Sequence, residues 1–335
     1  MPGPRRLEEI ARAALGSYGV DEDAELVLLN ISENATFRVG HRVSGMDARS
    51  NAAAADYAVL RIHRPGYHSR VAIESELAWQ AALRDDAVVR TATVLPALDG
   101  ERVVEASHPD GEVRHAVMFE WLPGSEPAEA TLVEDFAELG AIAARMHRHA
   151  RAWERPAWFS RLTWDYEGSI GDGGHWGRWQ DGLGVGPAES EQLGRLDKRL
   201  RERLANFGTG ADRFGLIHAD MRLANLIVDG PAVSVIDFDD CGFGWYLYDL
   251  GSSLSFIEHH PQVPEMIDSW VRGYRSEAPL SAEEEAELET FVLLRRLLLV
   301  AWVGSHSDTD LAQDMGEEFT RVSCDLAEGY LARFS

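Results

Sequence analysis

The chain has 335 residues, of which 45% are hydrophobic, and it is therefore long enough to fold around two cores. Its 56 acidic residues outnumber the 32 lysines and arginines, for a formal net charge of -24. This charge, without a basic block, argues against nucleic acid and against an anionic membrane as partners. The two cysteines, Cys241 and Cys324, are too few for a disulfide framework and lack the paired spacing of a zinc site, which fits a reducing cytoplasm.

The first third of the chain is predicted to form a helix followed by a sheet. Charged and apolar residues alternate at helical spacing over residues 5–15, a pattern that differs from a secretory signal. Strands are predicted at 25–29, 36–39 and 57–62. The small, polar residues 44–56 are predicted to form an exposed loop.

The next helix carries two acidic candidates for an ion pair. Ser69 is a candidate N-cap for a helix from residue 70 to about residue 83. Arg61 interrupts the apolar strand before it, and a charge buried there needs a carboxylate or a phosphate as partner. Glu76 lies among the apolar positions of the helix and suits that role, whereas Glu74 stays open as the competing partner.

Turns and caps predict the boundaries of several later elements. Two further strand pairs are predicted, with turns at Asp99-Gly100 and at Asp110-Gly111. Capping boxes at 131–134 and at 281–284 each precede a predicted helix. A final amphipathic helix is predicted over about 311–331.

Two segments of the second half have an unusual composition. The apolar run 297–303 is too short to span a bilayer and is predicted to be a buried helix. Residues 153–185 carry five tryptophans and many glycines, with little periodicity. They are either an excursion beside an acceptor cleft or an insertion that packs its tryptophans, and the sequence leaves both open.

Residues 216–240, LIHADMRLANLIVDGPAVSVIDFDD, concentrate the chemistry of the chain. Two apolar runs around an Asp-Gly-Pro turn predict a hairpin that brings Asp237 beside Asn225. Asp220 and Asn225 have the Asp-x4-Asn spacing of a kinase catalytic loop, and Asp237 stands where the aspartate of an Asp-Phe-Gly segment would stand. Phosphoryl transfer from ATP needs a carboxylate that orients the acceptor and oxygen ligands for magnesium. The stretch supplies both.

The sequence HADMRLAN, followed by VIDFDD and YDL, resembles the aminoglycoside phosphotransferase and choline kinase superfamily. Ala219 departs from the pattern, which usually has glycine there. The resemblance implies an α+β, bilobal protein-kinase-like fold, with a small sheet-rich lobe over 1–122 and a larger, mostly helical lobe over 123–335. It also implies ATP and Mg2+ as cofactors and a small-molecule hydroxyl as acceptor.

The resemblance assigns roles to the motif residues by position. Asp220 becomes the catalytic base, and Asn225 and Asp237 become the ligands of magnesium. Asp239 is an additional candidate near the metal. Two further residues are expected to brace the loop backbone: His218 and Asp249.

The resemblance also assigns residues to the nucleotide. Arg61 stands where a kinase carries the lysine that contacts the α and β phosphates, and its planar fork can bind phosphate, although the two side chains are not interchangeable. The alternative is an outward-facing strand arginine. Residues 30–34 would lie over the phosphates, with Ser32 and Asn34 as contacts, unless this segment is a plain hairpin turn.

The segment VMFEWLPG resembles the hinge between kinase lobes. By position, the carbonyl of Glu120 and the amide of Leu122 would bond to adenine. The alternative is an interlobe linker without a ligand. The segment between Asp237 and Asp249 is short and lacks an Ala-Pro-Glu stretch, which favours a small-molecule acceptor over a protein.

Three functions stay open at this stage. The leading hypothesis is an ATP- and Mg2+-dependent kinase for an amino alcohol, a sugar or an aminoglycoside-like antibiotic, near the branch of type II homoserine kinases and bacterial stress-response Ser/Thr kinases; a protein kinase of the latter type is its alternative. A catalytically silent nucleotide-binding module is the second hypothesis, because Arg61 replaces lysine. The third is a metal-dependent hydrolase built on His218, Asp220, Asp237 and Asp239. The acceptor, ATP or GTP preference and oligomeric state stay open.

Overall fold

A computed structural model describes residues 3–31, 34–40, 57–127 and 132–334. Three predictions concern residues outside these ranges: the phosphate contact of Ser32, the loop 44–56 and the cap at Thr131. Two compact units make up the chain. The first consists of Met1–Ser125, Arg155–Ser160 and Ile227–Asp239, and the second of Glu126–Glu154, Arg161–Leu226 and Asp240–Ser335.

In chain order the helices and strands are α1 (Pro4–Leu15), β1 (Glu25–Ile31), β2 (Ala35–Gly40), β3 (Tyr57–Ile62), α2 (Arg70–Asp85), β4 (Val94–Leu95), β5 (Val104–Ser107), β6 (Val113–Glu120), α3 (Leu132–Ala152), β7 (Leu162–Trp164), α4 (Tyr166–Ser169), α5 (Pro187–Phe207), β8 (Phe214–Ile217), β9 (Leu226–Asp229), β10 (Ala232–Val235), β11 (Gly242–Trp245), α6 (Tyr248–Ser253), α7 (Val263–Glu277), α8 (Ala282–Glu285), α9 (Leu288–Ser305) and α10 (Asp310–Arg333). The first unit is built on a sheet and the second is mostly helical, which confirms the predicted α+β class.

An antiparallel sheet with the order β1-β2-β3-β6-β4 forms the centre of the first unit, and β5 also pairs with β6. The predicted strands at 25–29, 36–39 and 57–62 are present. One predicted pairing is wrong. Asp110-Gly111 turns between the paired strands β5 and β6, but the turn at Asp99-Gly100 does not join a pair, because β4 pairs with β6 instead.

Helices cover both faces of this sheet. Residues of α1 share one hydrophobic cluster with Leu60 and Ile62 of β3, whereas residues of α2 share the other with Val117 of β6. Because neighbouring strand residues point to opposite faces, Arg61 points away from α1 and toward α2. The strand pattern thus decides which helix this arginine contacts.

The helix α2 begins as predicted. The hydroxyl of Ser69 accepts a hydrogen bond from the backbone amide of Ala72 at 3.2 Å, which caps one of the amides that the first turn leaves unpaired. Glu74 pairs with Arg70 of the same helix at 2.8 Å, and this leaves Glu76 as the acid that faces the sheet.

Glycines allow two helices of the second unit to approach closely. A Cβ atom on Gly140 of α3 would lie 2.0 Å from the carbonyl oxygen of Trp270 on α7, and one on Gly273 of α7 would lie 1.8 Å from the carbonyl oxygen of Ala137. Real Cβ atoms do not approach backbone this closely, so any side chain at either position would push the helices apart. The helix α3 also packs against the strand β8, which leads into the predicted catalytic loop.

The long helix α9 is almost entirely buried and contains the apolar run 297–303, as predicted. Among the helices that the structure describes, none combines the length and the apolar character required to cross a membrane. The capping box at Ser281 is also present, but it caps the four-residue helix α8 rather than α9 itself. The long helix begins only at Leu288.

The tryptophan-rich segment is partly regular. It contributes β7 to a three-stranded sheet with the order β7-β11-β8, and it contains the short helix α4. Three of its tryptophans are buried: Trp164, Trp176 and Trp179. Packing therefore accounts for these three rings, whereas half of the surface of Trp158 is exposed.

Candidate active site

The predicted catalytic loop lies in the second unit and follows β8. Asp249, near the start of α6, accepts hydrogen bonds from the backbone amides of His218 at 3.3 Å and Ala219 at 2.8 Å. Its second oxygen also lies 2.8 Å from Nε2 of the buried His147. The hydroxyl of Ser252 accepts from the amide of Met221 at 3.0 Å. Side chains of α6 thus bind three amides of the loop backbone, which regular secondary structure leaves unpaired.

The loop also has an unusual backbone conformation at Ala219. Its φ of 67° lies in the left-handed region, which an L residue with a side chain adopts at a cost. Glycine is the usual residue at this position of the motif, and the conformation explains that preference. The loop nevertheless forms with alanine because Asp249 binds the amide of this residue.

Three side chains hold the carboxylate of Asp220. Oδ1 accepts a hydrogen bond from Arg295 at 2.7 Å. Oδ2 accepts from the side-chain amide of Asn225 at 2.9 Å and from Nε of Arg222 at 3.2 Å. Burial raises the pKa of Asp220, but Arg222, Arg295 and His218 outweigh it and hold the pKa below its ordinary value. The group is therefore ionised at neutral pH and accepts hydrogen bonds with both oxygens.

The amide of Asn225 is oriented by these contacts. Its nitrogen donates to the backbone carbonyl of Asp220 at 2.8 Å and to the carboxylate of the same residue at 2.9 Å. Because the nitrogen is engaged, the carbonyl oxygen is the atom left for a ligand. A neutral oxygen of this kind is a group that Mg2+ accepts, so the residue fits the metal that the sequence predicts.

Arg295 is a residue of this loop environment that the sequence prediction missed. It lies on α9, is 2% exposed, and contacts Asp220 from 75 positions further along the chain. The only signal is a pair of arginines inside an otherwise apolar helix. A buried charge of that kind requires a partner, but nothing in the sequence says which acid it is.

The first unit contains the predicted ion pair. A terminal nitrogen of Arg61 lies 2.6 Å from Oε1 of Glu76, and the guanidinium lies over the ring of Phe119 at 5.1 Å. Arg61 is 6% exposed, so the alternative of an outward-facing strand arginine is wrong. Among the described residues, its Nε has no hydrogen-bond partner. This buried donor fits an anionic ligand such as a phosphate.

Carboxylates surround the same guanidinium. Oδ1 of Asp237 lies 3.8 Å from Arg61. Burial lowers the pKa of Arg61, but the charges of Glu76, Asp239 and Asp237 outweigh it, so the pKa stays above its ordinary value. Asp237 itself has a φ of 59° and a side chain that is 45% exposed. An exposed carboxylate held in a strained backbone conformation is a feature that functional sites often show.

Asp239 is buried against two histidines of the first unit. Its carboxylate lies 3.4 Å from Nδ1 of His63 and 3.6 Å from Nε2 of His68. Burial raises its pKa, but the contact with His63 and the charge of Arg61 hold the pKa well below its ordinary value. The described residues contain no cluster of three or more His, Cys, Asp or Glu side chains arranged around a metal position. The metal role of Asp239 stays a prediction.

The remaining nucleotide contacts also stay predictions. Glu120 ends β6, where its carboxylate accepts from the amide of Thr93 at 3.0 Å. Leu122 packs against the hydrophobic cluster beneath α2. The side-chain oxygen of Asn34 accepts from the amide of Arg64 at 3.0 Å, so this residue holds the chain that follows β3.

Comparison with known proteins gives consistent matches. A sequence model of the phosphotransferase enzyme family matches residues 32–288. Amicoumacin kinase of Bacillus subtilis (strain 168) is 26% identical over 242 residues, which are 69% of this chain and 68% of that protein. Among solved structures, a microcompartment-associated aminopropanol kinase has a TM-score of 0.87 and 47% identity, over 97% of each chain. An amicoumacin kinase in complex with AMP-PNP, Ca2+ and Ami has a TM-score of 0.70 and 21% identity, over 90% of this chain and 88% of that one.

Proposed function

Because the chain belongs to the phosphotransferase enzyme family and is a kinase-like enzyme of small molecules, we propose that it transfers the γ-phosphate of ATP to the hydroxyl of a small amino alcohol. One observation carries this choice of acceptor: the aminopropanol kinase is 47% identical over 97% of both chains.

Asp220 is the residue proposed to act on the acceptor. Its ionised carboxylate, held by Asn225, Arg222 and Arg295, would accept a hydrogen bond from the acceptor hydroxyl and take its proton as the phosphate is transferred. The low pKa means that this carboxylate is a weak base, so orientation of the hydroxyl contributes more than early proton removal.

Asn225 and Asp237 are the residues proposed to hold Mg2+, with Asp239 as the additional candidate. The metal, when bound, would neutralise charge on the phosphates. Both first-choice ligands present hard oxygens. Arg61 is proposed to bind phosphate through donors that Glu76 does not use. Adenine contacts at Glu120 and Leu122 and a phosphate contact at Asn34 complete the proposal.

Two alternatives are weaker on specific grounds. Only β11 and the first residue of α6 lie between Asp240 and Asp249, so this stretch has no room for the long activation loop of a gated protein kinase. A silent module was suggested by the loss of lysine at position 61. The sequence has one lysine, Lys198, and an arginine is therefore the cation proposed to contact the phosphates; Arg61 has the paired acid that suits this role.

The test is an ATP-consumption screen of amino alcohols, sugars, aminoglycosides and a generic protein, followed by variants of the two aspartates. Asp220→Asn should lower kcat by about 10²- to 10⁴-fold, the range for a lost general base, and leave MgATP affinity intact. Asp237→Ala should weaken MgATP more than ATP alone. Asp229→Ala is the matched control, because this exposed acid lies on the same hairpin. Near-full transfer by Asp220→Asn, or equal magnesium dependence in Asp237→Ala and the control, would refute the assignments.

A further inference from the structure

Every side-chain nitrogen of Arg295 donates to a protein group. Its Nε donates to the hydroxyl of Ser255 at 2.9 Å, and one terminal nitrogen donates to the carbonyl oxygen of Ala219 at 3.2 Å and to the hydroxyl of Tyr248 at 3.1 Å. The other terminal nitrogen donates to Oδ1 of Asp220 at 2.7 Å. These four contacts engage all three nitrogens of a group that has five N–H bonds. The guanidinium is therefore occupied in holding protein groups.

Two aromatic rings lie beside the same guanidinium. Its central carbon lies 4.8 Å from the ring centre of Trp176 and 5.8 Å from that of Tyr248. Trp164 supports both rings, because it stacks on Tyr248 at 6.2 Å and meets Trp176 edge-on at 5.4 Å. Two tryptophans of the segment 153–185 thus form the wall behind the arginine. A planar cation fits this arrangement, whereas a lysine ammonium cannot make the same set of directed bonds.

The contacts of Arg295 converge on two parts of the catalytic loop. It binds the carbonyl of Ala219, the residue in the left-handed conformation, and the carboxylate of the next residue, Asp220. One rigid group thereby sets both the backbone turn and the direction of the carboxylate. An error of about 1 Å in the position of a catalytic group can lower a rate about 10²-fold, so a fixed orientation here has a direct effect on transfer.

We propose that Arg295 is a positioning residue, in contact with Trp176 and Tyr248, which fixes the carboxylate of Asp220 in the orientation that receives the acceptor hydroxyl. This inference rests on the proposed role of Asp220. It assigns the tryptophan-rich segment a part in the same function, as the support of the arginine. It also requires that the effect of Arg295 on the reaction passes entirely through Asp220.

The neighbouring arginine provides a matched control. Arg296 lies on the same helix, is 1% exposed, and pairs with Glu258 at 2.6 Å. It also donates to the hydroxyl of Ser323 at 2.6 Å and to the carbonyl oxygen of Phe319 at 2.9 Å. None of these groups belongs to the catalytic loop. Loss of Arg296 therefore removes a comparable buried ion pair without changing the contacts of Asp220.

The experiment compares Arg295→Met, Arg295→Lys and Arg296→Met with the wild type, using the amino alcohol identified by the screen. We expect Arg295→Met to lower kcat about 10²-fold with unchanged KM for MgATP and acceptor, and Arg295→Lys to recover only part of the rate. Arg296→Met should reduce thermal stability but keep the kcat of the folded enzyme. Equal loss of kcat in Arg295→Met and Arg296→Met would overturn the proposal.

A double-mutant cycle tests whether the effect passes through Asp220. The variant carrying both Asp220→Asn and Arg295→Met should be no slower than Asp220→Asn alone, because a residue that acts through another has nothing left to position. Multiplied losses would overturn the proposal. If Arg295→Met does not fold, Ser255→Ala replaces it in the cycle with the same expectation at a smaller fold-change. This variant removes one contact of Arg295 and the bond from the same hydroxyl to the carbonyl oxygen of Ser252.

The outcomes separate this proposal from the proposed function. If Asp220→Asn loses transfer while the Arg295 variants keep the wild-type kcat, the positioning role alone is overturned. If Asp220→Asn keeps the wild-type kcat, the base assignment and the positioning role are both overturned.

Discussion

Two buried arginines, one in each unit, make the same kind of ion pair and differ in what they have left to offer. Arg61 lies 2.6 Å from Glu76, and Arg295 lies 2.7 Å from Asp220. Nε of Arg61 has no hydrogen-bond partner among the described residues, whereas every nitrogen of Arg295 donates to a protein group. A buried guanidinium with a nitrogen that has no partner is suited to a ligand, whereas one whose three nitrogens all donate to protein groups is suited to holding those groups.

The acids of the two pairs differ in the same way. Glu76 has one oxygen engaged by Arg61, and its other oxygen has no hydrogen-bond partner among the residues that the structure describes. Both oxygens of Asp220 accept hydrogen bonds, from three different side chains. The pair of Arg61 and Glu76 is therefore held by few hydrogen bonds and can adjust when an anion binds. The pair of Arg295 and Asp220 is held by several hydrogen bonds and is expected to move little.

The largest expected effect comes from removing the arginine of the first pair. Arg61→Ala leaves Glu76 buried without its cation, and breaking a buried pair in this way costs about 3–5 kcal/mol of stability. The same change removes charged donors for phosphate, each worth about 1.5–3 kcal/mol. We expect a lower Tm and MgATP binding weakened more than tenfold, measured by thermal unfolding and calorimetry.

Arg61→Lys is the matched control for this change. It keeps the positive charge beside Glu76 but offers no planar fork, so we expect intermediate stability and intermediate nucleotide affinity. If Arg61→Ala binds MgATP as tightly as the wild type, the unused donors do not serve a phosphate. The contrast between the two arginines would then lose its functional meaning.

A smaller effect is expected from the ring beside each arginine. Phe119 lies 5.1 Å from the guanidinium of Arg61, and Trp176 lies 4.8 Å from that of Arg295. A cation–π contact contributes about 0.5–2 kcal/mol. We expect Phe119→Leu to weaken MgATP severalfold with little change in kcat, and Trp176→Phe to lower kcat severalfold with little change in MgATP affinity. Steady-state kinetics and calorimetry on both variants measure the two effects, and the reverse pattern would contradict the division of roles.

The sequence predicts the first pair because its physics is local. Arg61 and Glu76 are 15 positions apart, on a strand and on the helix that follows it, and the two periodicities together place both residues on the shared face. Arg295 and Asp220 are 75 positions apart. Their contact depends on how α9 packs beside the loop, which no periodicity or spacing encodes. The wrong prediction of a strand pair around Asp99-Gly100 has the same cause, since tertiary packing decides whether β4 pairs with β5 or with β6.

The catalytic loop can be predicted from the sequence only in part. Motif spacing identifies Asp220, Asn225 and Asp249, and the structure gives each of them a contact within the loop. The supporting residues Tyr248 and Ser255 are not identified, because a tyrosine or serine in a helical pattern carries no signal of its partner. Chemistry that is fixed by a short stretch of chain is visible in the sequence, and the residues that support it from other elements are not.

The smallest expected effect concerns Ala219, where the motif usually has glycine. A left-handed conformation costs a residue with a side chain about 1–2 kcal/mol relative to glycine. Two bonds to the backbone of this residue hold the conformation: Asp249 binds its amide at 2.8 Å and Arg295 binds its carbonyl at 3.2 Å. If Arg295 and Asp249 determine the shape of the loop, the identity of residue 219 should have little effect on stability and on kcat.

Ala219→Gly tests this directly, because its contributions to the free energy of unfolding oppose each other. Glycine removes the strain of about 1–2 kcal/mol, but it gives the unfolded chain more freedom, at a cost of about 0.5–1 kcal/mol. It also deletes a fully buried methyl group, worth about 0.8 kcal/mol. We therefore expect the free energy of unfolding to change by less than about 1 kcal/mol and kcat to stay at the wild-type value, since both backbone bonds survive. Ala219→Val is the contrasting variant, because a β-branched residue at this φ is strongly disfavoured. A clear loss of kcat in Ala219→Gly would show that the alanine, and not the bonds from Arg295 and Asp249, keeps the loop in its active shape.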